Sequence, residues 1–93
     1  MFDQILNRMK ELVRTSRYIA GTHAAEEMEA DGLTIYDIEH GILTGQIVER
    51  QRDRKTKEWK YLIEGMTLGD EAVCTVAKIS PTGKLVIVTV YLL

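Results

Sequence analysis

The sequence predicts an α+β domain in which three N-terminal helices precede a four-stranded antiparallel β-meander and pack on one face of it. Apolar residues recur at steps of three and four along residues 1–45, as they do on the buried face of a helix. After Gly45 the pattern changes to the alternation of apolar and polar residues that is typical of strands. Because 93 residues are enough for one hydrophobic core and too few for two, we expect a single domain over residues 1–93, with a helical layer at 1–45 and a sheet at 46–93.

The first two helices are predicted from an apolar stripe and from helix-end signals. Helix one covers about residues 3–16, where the apolar residues form one continuous stripe. Helix two is predicted from Thr22, whose hydroxyl can cap the first free amide groups, to about Asp31. It ends before Gly32 because glycine readily takes the left-handed conformation found after helix C-termini.

Helix three and the strands are bounded by residues that favour caps and turns. Thr34 approximates a capping box with Asp37, and the helix that follows ends before Gly45. Four strands are then predicted, at residues 46–52, 58–65, 72–79 and 84–92. The first two are joined by a short polar segment and therefore form a hairpin.

The last predicted strand is apolar on both faces. Regular alternation places its side chains in two sets: Leu85, Ile87, Thr89 and Tyr91 on one face, and Val86, Val88, Val90 and Leu92 on the other. Such a strand belongs in the centre of a sheet whose two faces are both covered. Helices cover one face. A second copy of the chain is the simplest partner that could cover the other face, so a homodimer is expected.

Charged residues are unevenly distributed, although the net charge is only −2. Residues 26–39 contain six acids and no lysine or arginine. Residues 50–60 contain two acids and six basic residues, which are Arg50, Arg52, Arg54, Lys55, Lys57 and Lys60. Trp59 and Tyr61 accompany these cations, a composition suited to RNA binding, in which cations follow phosphates and aromatic rings stack on bases. Alternatively, the charges protect an edge hairpin from strand pairing while the aromatic rings face the core.

Several functional classes lack support in the sequence. Cys74 is the only cysteine, so the chain has neither an intramolecular disulfide nor a cysteine-rich metal site, and it has no phosphate-binding glycine loop. His23 and His40 lack the spacing of metal ligands on one helix. We therefore expect no metal and no cofactor. The sequence shows no signal peptide and no apolar run of membrane length, so a cytoplasmic location is expected.

Short motifs occur in a fixed order over nearly the whole chain. They are Tyr18–Ala24, Met28, Gly32–Thr34, Asp37–Ile38, Gly45–Glu49, Gly65, Gly69 and Thr89–Tyr91. In order and spacing, these motifs resemble a family of small prokaryotic proteins of unknown function, DUF4258. That family is similar to the RelE, barnase, EndoU and colicin nuclease superfamily, in which helices lie on an antiparallel sheet and many members are RNA-cleaving toxins. The resemblance implies a RelE-like fold, metal-independent endoribonuclease activity and an antitoxin as a protein partner.

His23 is the first candidate catalytic residue, with Tyr91 and Thr89 as further candidates on the last strand. RNA cleavage without a metal needs a base for the 2′-hydroxyl, an acid for the leaving oxygen and cations for the phosphate charge. His23 can supply the base or the acid, while Tyr91 and Thr89 can contact the phosphate. The structural alternative is a histidine hydrogen-bonded at a helix start and a tyrosine packed at the end of a core strand.

The chain departs from the family pattern at positions that matter for cleavage. Two arginines expected in helix two are replaced by Glu27 and Asp31, and a histidine expected in the third strand is replaced by Cys74. Each anion near His23 would repel a phosphate by about 1 kcal/mol in water. Two hypotheses stay open: a RelE-like endoribonuclease that acts through His23, and a noncatalytic protein- or RNA-binding module that acts as a homodimer.

Overall fold

The computed structural model describes all 93 residues as three helices, five strands and their connections. In chain order the elements are α1 (Asp3–Arg14), β1 (Tyr18–Ala20), α2 (Thr22–Ala30), α3 (Ile35–Leu43), β2 (Gln46–Arg52), β3 (Trp59–Met66), β4 (Ala72–Ile79) and β5 (Leu85–Leu92). The α+β class, the three helices and the four predicted strands are confirmed. None of the helices combines the length and the apolar composition that crossing a membrane requires.

The sheet is mixed and has one strand more than predicted. Its order is β1-β5-β4-β3-β2, in which β2 to β5 form the antiparallel meander and β1 pairs with β5 in parallel. The prediction of a purely antiparallel sheet after a purely helical segment is therefore wrong. A strand of three residues is too short to show an alternating pattern, so the sequence at Tyr18–Ala20 indicates only a break between helices.

Strand β5 lies inside the sheet, as predicted, but its side chains do not alternate regularly. Ile87 pairs with Ala77 and Thr89 pairs with Val76, which leaves Val88 as the extra residue of a β-bulge. The bulge shifts the alternation by one position. Val90 is therefore buried in the same core as Ile87, although regular alternation would have placed them on opposite faces.

The core lies between the helices and one face of the sheet. Helix α2 packs on β5, α3 packs on β3 and β4, and α1 contacts α3 and β5. The completely buried apolar residues of this core are Met9, Ala24, Ile38, Ile42, Ile63, Val73, Ala77 and Leu85. On the opposite face, Glu64, Cys74 and Tyr91 form one row across β3, β4 and β5, so polar groups interrupt that surface.

One predicted helix cap is confirmed and another is wrong. At the start of α3, the Thr34 hydroxyl accepts a hydrogen bond from the Asp37 amide at 3.3 Å, and the Asp37 carboxylate accepts one from the Thr34 amide at 2.9 Å. Thr22 does not cap α2, because the helix begins at Thr22 itself with Gly21 as its N-cap residue. The extended Gly21 continues from β1, and its amide donates to the Ile87 carbonyl at 2.9 Å.

Gly65 lies where β3 passes beneath α3, and its replacement tests this close packing. A Cβ atom on Gly65 would lie 1.9 Å from the Gly41 carbonyl oxygen and 3.0 Å from the Gly45 Cα atom. Since both are backbone atoms, Gly65→Ala should lower the free energy of unfolding by about 3 kcal/mol. Gly69→Ala is the matched control, because the nearest heavy atom is 3.8 Å away, and should change it by less than about 0.5 kcal/mol. Urea denaturation followed by circular dichroism measures the free energy of unfolding of both variants. Equal stabilities of Gly65→Ala and Gly69→Ala would contradict the close packing of β3 against α3.

Candidate functional site

His23 lies in the first turn of α2, where the chain leaves β1 and begins to pack on β5. Its side chain is 72% exposed, and its Nε2 atom is 3.5 Å from the Oε1 atom of Glu27, one helical turn further on. This distance permits an ion pair when the imidazole is protonated. A ligand can therefore reach His23 from solvent, but the charged neighbour of the imidazole is a carboxylate.

Glu27 closes the part of the β5 edge that β1 leaves open. Strand β1 pairs only with residues 85–87. Beyond them, the Glu27 carboxylate accepts hydrogen bonds from the Val90 amide at 3.0 Å and from the Thr89 hydroxyl. These partners are 62 and 63 positions from Glu27, so no local pattern indicates the contact.

The surroundings of the Glu27 carboxyl lower its pKa below the usual 4.5. Burial is the largest single influence and acts in the opposite direction, but the hydrogen bonds from Thr89 and Val90 and the proximity of His23 together outweigh it. Glu27 is therefore an anion at neutral pH and a weak base. The structure brings His23 and Thr89 to the same carboxylate, and these three residues form the His23 cluster.

Tyr91, the third catalytic candidate, has a different neighbour. It pairs with Cys74 across β4 and β5, and interaction with the Cys74 thiol, followed by burial, raises the pKa of the Tyr91 hydroxyl to about 12. Burial also raises the pKa of the Cys74 thiol. Both groups are consequently neutral near pH 7. The structure does not join Tyr91 to His23, whose polar contact is with Glu27.

The His23 cluster contains no lysine or arginine. Its polar contacts are made by Glu27, Thr89 and the Val90 backbone. Asp31, the other position where the resemblance predicts a basic residue, is the C-cap of α2 and lies at the opposite end of the helix from His23. The stabilisation of a phosphate transition state depends on cations or well-placed donors. The cluster supplies an anion instead.

The basic hairpin, residues 50–60 of β2, β3 and their connection, is the second candidate region. It surrounds an open depression of about 640 Å³, whose lining contains no apolar residue and consists of Gln51, Arg52, Asp53, Arg54, Lys55 and Lys60. The Asp53 carboxylate accepts hydrogen bonds from the Lys55 amide at 2.9 Å and the Thr56 amide at 3.0 Å. The cationic side chains therefore project from an ordered turn.

Both acids of the basic hairpin are engaged within the molecule. Asp53 lies 3.9 Å from the Lys60 ammonium, and hydrogen bonds from two backbone amides of the turn lower the pKa of its carboxyl below the usual value. Glu58 lies 3.3 Å from the ammonium of Lys78, which is outside the hairpin. The remaining cations of the hairpin have no carboxylate partner.

Trp59 and Tyr61 lie on the same side of β3 but differ in their surroundings. The guanidinium carbons of Arg50 and Arg52 are 4.1 and 4.6 Å from the centroid of the Trp59 ring, within the range of a cation–π interaction. Tyr61 instead makes an edge-to-face contact with Phe2 and packs against the core. Trp59, which is 36% exposed, is thus the aromatic residue of the basic hairpin that a ligand can reach.

The His23 cluster and the basic hairpin lie at opposite edges of the sheet. The cluster lies beside β5, next to the edge strand β1, whereas the hairpin is formed by β3 and the other edge strand, β2. Strand β4 separates β5 from β3, so their backbones are about 10 Å apart. A ligand that touches both regions must cross the sheet.

The structure also contains a pocket that was not predicted from the sequence. It lies between α3 and the loop after β3 and is called the α3 pocket. Its volume is about 330 Å³, and its lining residues are Tyr36, Glu39, His40, Leu43 and Leu68. The loop is held by Asp37, which accepts a hydrogen bond from the Leu68 amide at 3.2 Å, and by His40, whose Nδ1 atom is 2.7 Å from the Met66 carbonyl oxygen. The four- and three-residue spacing of the lining residues on α3 is the sequence signal that marks this helix face.

These features define a small α+β protein with two separate polar candidate regions on one sheet. A family model described as a domain of unknown function, DUF4258, matches residues 21–92, and the chain belongs to this family. The match contains the His23 cluster, the basic hairpin and the α3 pocket. No curated protein and no solved structure matches the chain. Since the family description names no activity, the function has to be inferred from the geometry.

Removal of the Glu27 carboxylate should leave donors on β5 without an acceptor. We expect Glu27→Ala to lower the free energy of unfolding by about 2 kcal/mol at neutral pH, because the Val90 amide loses a charged hydrogen-bond partner. The exposed neighbour Glu26 provides the control, and Glu26→Ala should change stability by less than about 0.5 kcal/mol. Urea denaturation measures both variants.

The stabilisation by Glu27 should disappear in acid. The folded-state pKa of Glu27 lies below its unfolded value near 4.5, so the stabilisation is fully present above that value and is lost as the pH falls through the folded-state pKa. The stability gap between the wild type and Glu27→Ala should therefore narrow as the pH is lowered from about 5 to about 3. A constant gap over this range would contradict the role of the ionised carboxylate.

Proposed function

We propose that the protein binds RNA through the basic hairpin and acts as a binding module rather than as a nuclease. The observation that supports this proposal is the uncompensated charge of the basic hairpin. Of its six basic side chains, only Lys60 has a carboxylate partner. The basic hairpin therefore carries a concentrated positive charge on a molecule whose net charge is −2.

The basic hairpin has the properties that a polyanion requires. Only polar and charged residues line its depression, and its cations lie on both strands and on the connection between them. When such cations neutralise phosphates, the release of condensed counterions favours binding in a way that does not depend on sequence. The hairpin is thus suited to the backbone of a nucleic acid.

Trp59 favours a nucleic acid over other polyanions, and single-stranded RNA in particular. Proteins that bind single strands combine a positive groove with aromatic rings on which the bases stack. The guanidinium groups of Arg50 and Arg52 lie over the indole ring of Trp59, and a guanidinium group can contact a phosphate or stack on a base. An unpaired base is the group that makes use of both the ring and the cations.

RNA cleavage at His23 is the second candidate function, and the contact between His23 and Glu27 favours it. A carboxylate 3.5 Å from an imidazole can orient it for general acid or base catalysis. The resemblance to RelE-like nuclease toxins supports the same function and adds an antitoxin as the partner. The lack of a lysine or arginine in the cluster and the separate position of Tyr91 argue against it, and for this reason binding is our first proposal.

RNA binding should depend on the unpaired cations of the turn. A triple variant in which Arg54, Lys55 and Lys57 are each replaced by glutamine loses three charges. It keeps the backbone amides that donate hydrogen bonds to Asp53. We expect an affinity about tenfold weaker for a labelled single-stranded oligoribonucleotide near physiological salt, and a slope of log affinity against log salt that is smaller by about 2. Fluorescence anisotropy over a series of salt concentrations measures both quantities.

A triple variant of α1 provides the control for this experiment. Replacing Arg8, Lys10 and Arg14 with glutamine removes the same number of charges from another surface and should change neither the affinity nor the slope. Equal effects of the two triple variants would show that net charge, rather than the basic hairpin, governs binding. Absence of RNA binding by the wild type at low salt would refute the proposal itself.

Substitution of His23 separates binding from cleavage. For a binding module, the wild type should leave labelled RNA intact during prolonged incubation at high protein concentration, and His23→Ala should bind the oligoribonucleotide with unchanged affinity. Denaturing gel electrophoresis and anisotropy measure the two properties. Cleavage by the wild type that His23→Ala abolishes would favour the nuclease function instead.

A further inference from the structure

The α3 pocket and the basic hairpin lie at opposite ends of the molecule. Strand β3 begins at Trp59 in the hairpin and ends at Met66, whose carbonyl oxygen contacts His40 at the pocket wall. Seven steps of about 3.3 Å separate these ends by about 23 Å, while the longest dimension of the molecule is 32 Å. A hairpin therefore cannot reach its own pocket, but it can reach the pocket of a neighbouring molecule.

The α3 pocket combines an apolar mouth with a carboxylate. Tyr36 and Leu68 are 65% and 61% exposed, so two large apolar side chains are accessible to solvent at the entrance of the pocket. The Glu39 carboxylate accepts a hydrogen bond from the Tyr18 hydroxyl of β1, which fixes its position. The loop that carries Leu68 is tied to α3 by hydrogen bonds, and the pocket is consequently preformed. It fits a flat apolar group accompanied by positive charge.

The charge around the α3 pocket complements the basic hairpin. Glu39 lines the pocket, Asp37 accepts a hydrogen bond from the Leu68 amide of its loop, and no lysine or arginine is among the lining residues. The hairpin has six basic residues and two acids, both of them already engaged. Opposite charges on two surfaces steer their encounter and select one register of contact.

Trp59 and its two arginines have the chemistry that the pocket fits. The indole ring is a flat apolar group, and guanidinium groups lie 4.1 and 4.6 Å from its centroid. A pocket of about 330 Å³ has room for one large aromatic side chain. A Trp59 ring that enters the pocket brings both guanidinium groups with it, and Glu39 is the carboxylate among the lining residues that can pair with them.

We infer that the α3 pocket binds the basic hairpin of a second copy of this chain. The contact joins two different surfaces of the chain, so every copy carries both halves of it. The inference rests on the proposed function in one respect only: the hairpin binds either a neighbouring molecule or RNA, so RNA displaces the neighbouring molecule.

Sedimentation velocity of the full chain without RNA tests this contact. Leu68→Lys places a cation in the pocket, and Arg50→Glu places an anion on the hairpin; each should raise the dissociation constant at least tenfold. An equimolar mixture of the two variants should associate again, because the first keeps an intact hairpin and the second an intact pocket. The controls are Leu93→Lys, at a leucine that is also 61% exposed, and Arg14→Glu on α1, both of which should associate like the wild type.

Three outcomes would overturn the inference. They are a wild type that stays monomeric up to about 1 mM, association that neither variant weakens, and a mixture that fails to associate. Circular dichroism melts would identify a variant that is unfolded, and Tyr36→Ala would then replace Leu68→Lys. Because RNA binding is measured separately and Leu68→Lys leaves the hairpin unchanged, the RNA proposal and the self-association inference can fail independently.

Discussion

Strand β5 lies in the interior of the sheet, and both of its edges need hydrogen-bond partners. One edge pairs with β4, while the other pairs with β1 over three residues and then with the Glu27 carboxylate. A buried amide without a partner costs about 1–3 kcal/mol, so this requirement places β1 and α2 together. It explains why α2 follows β1 after a single residue, Gly21, whose amide also donates to β5.

The same requirement limits the chemistry available to His23. Glu27 completes the sheet edge and at the same time places a negative charge beside the imidazole. A basic residue at this position would offer a cation to a phosphate but could not accept a hydrogen bond from the Val90 amide. The sheet edge and a cleavage site therefore compete for one side chain. The basic hairpin, at the other edge of the sheet, is free of this conflict.

Features that depend on neighbouring residues could be predicted from the sequence, and features that depend on distant ones could not. The stripe of α1, the capping box at Thr34 and the charge of the basic hairpin involve positions a few residues apart. The pairing of β1 with β5, the bulge at Val88 and the contact of Glu27 with Val90 join segments that are far apart in the chain. The α3 pocket likewise exists only because a loop after β3 returns to the helix.

The separation of the acids in residues 26–39 from the bases of the basic hairpin gives the molecule an electric dipole. Electrostatic interactions in physiological salt are screened over about 8 Å, a short distance compared with the 32 Å length of the molecule. An approaching polyanion is therefore influenced by the nearer end of the protein rather than by its net charge. The acidic end turns away and the basic hairpin turns toward the polyanion before contact, so this weakly acidic protein meets a polyanion in a preferred orientation.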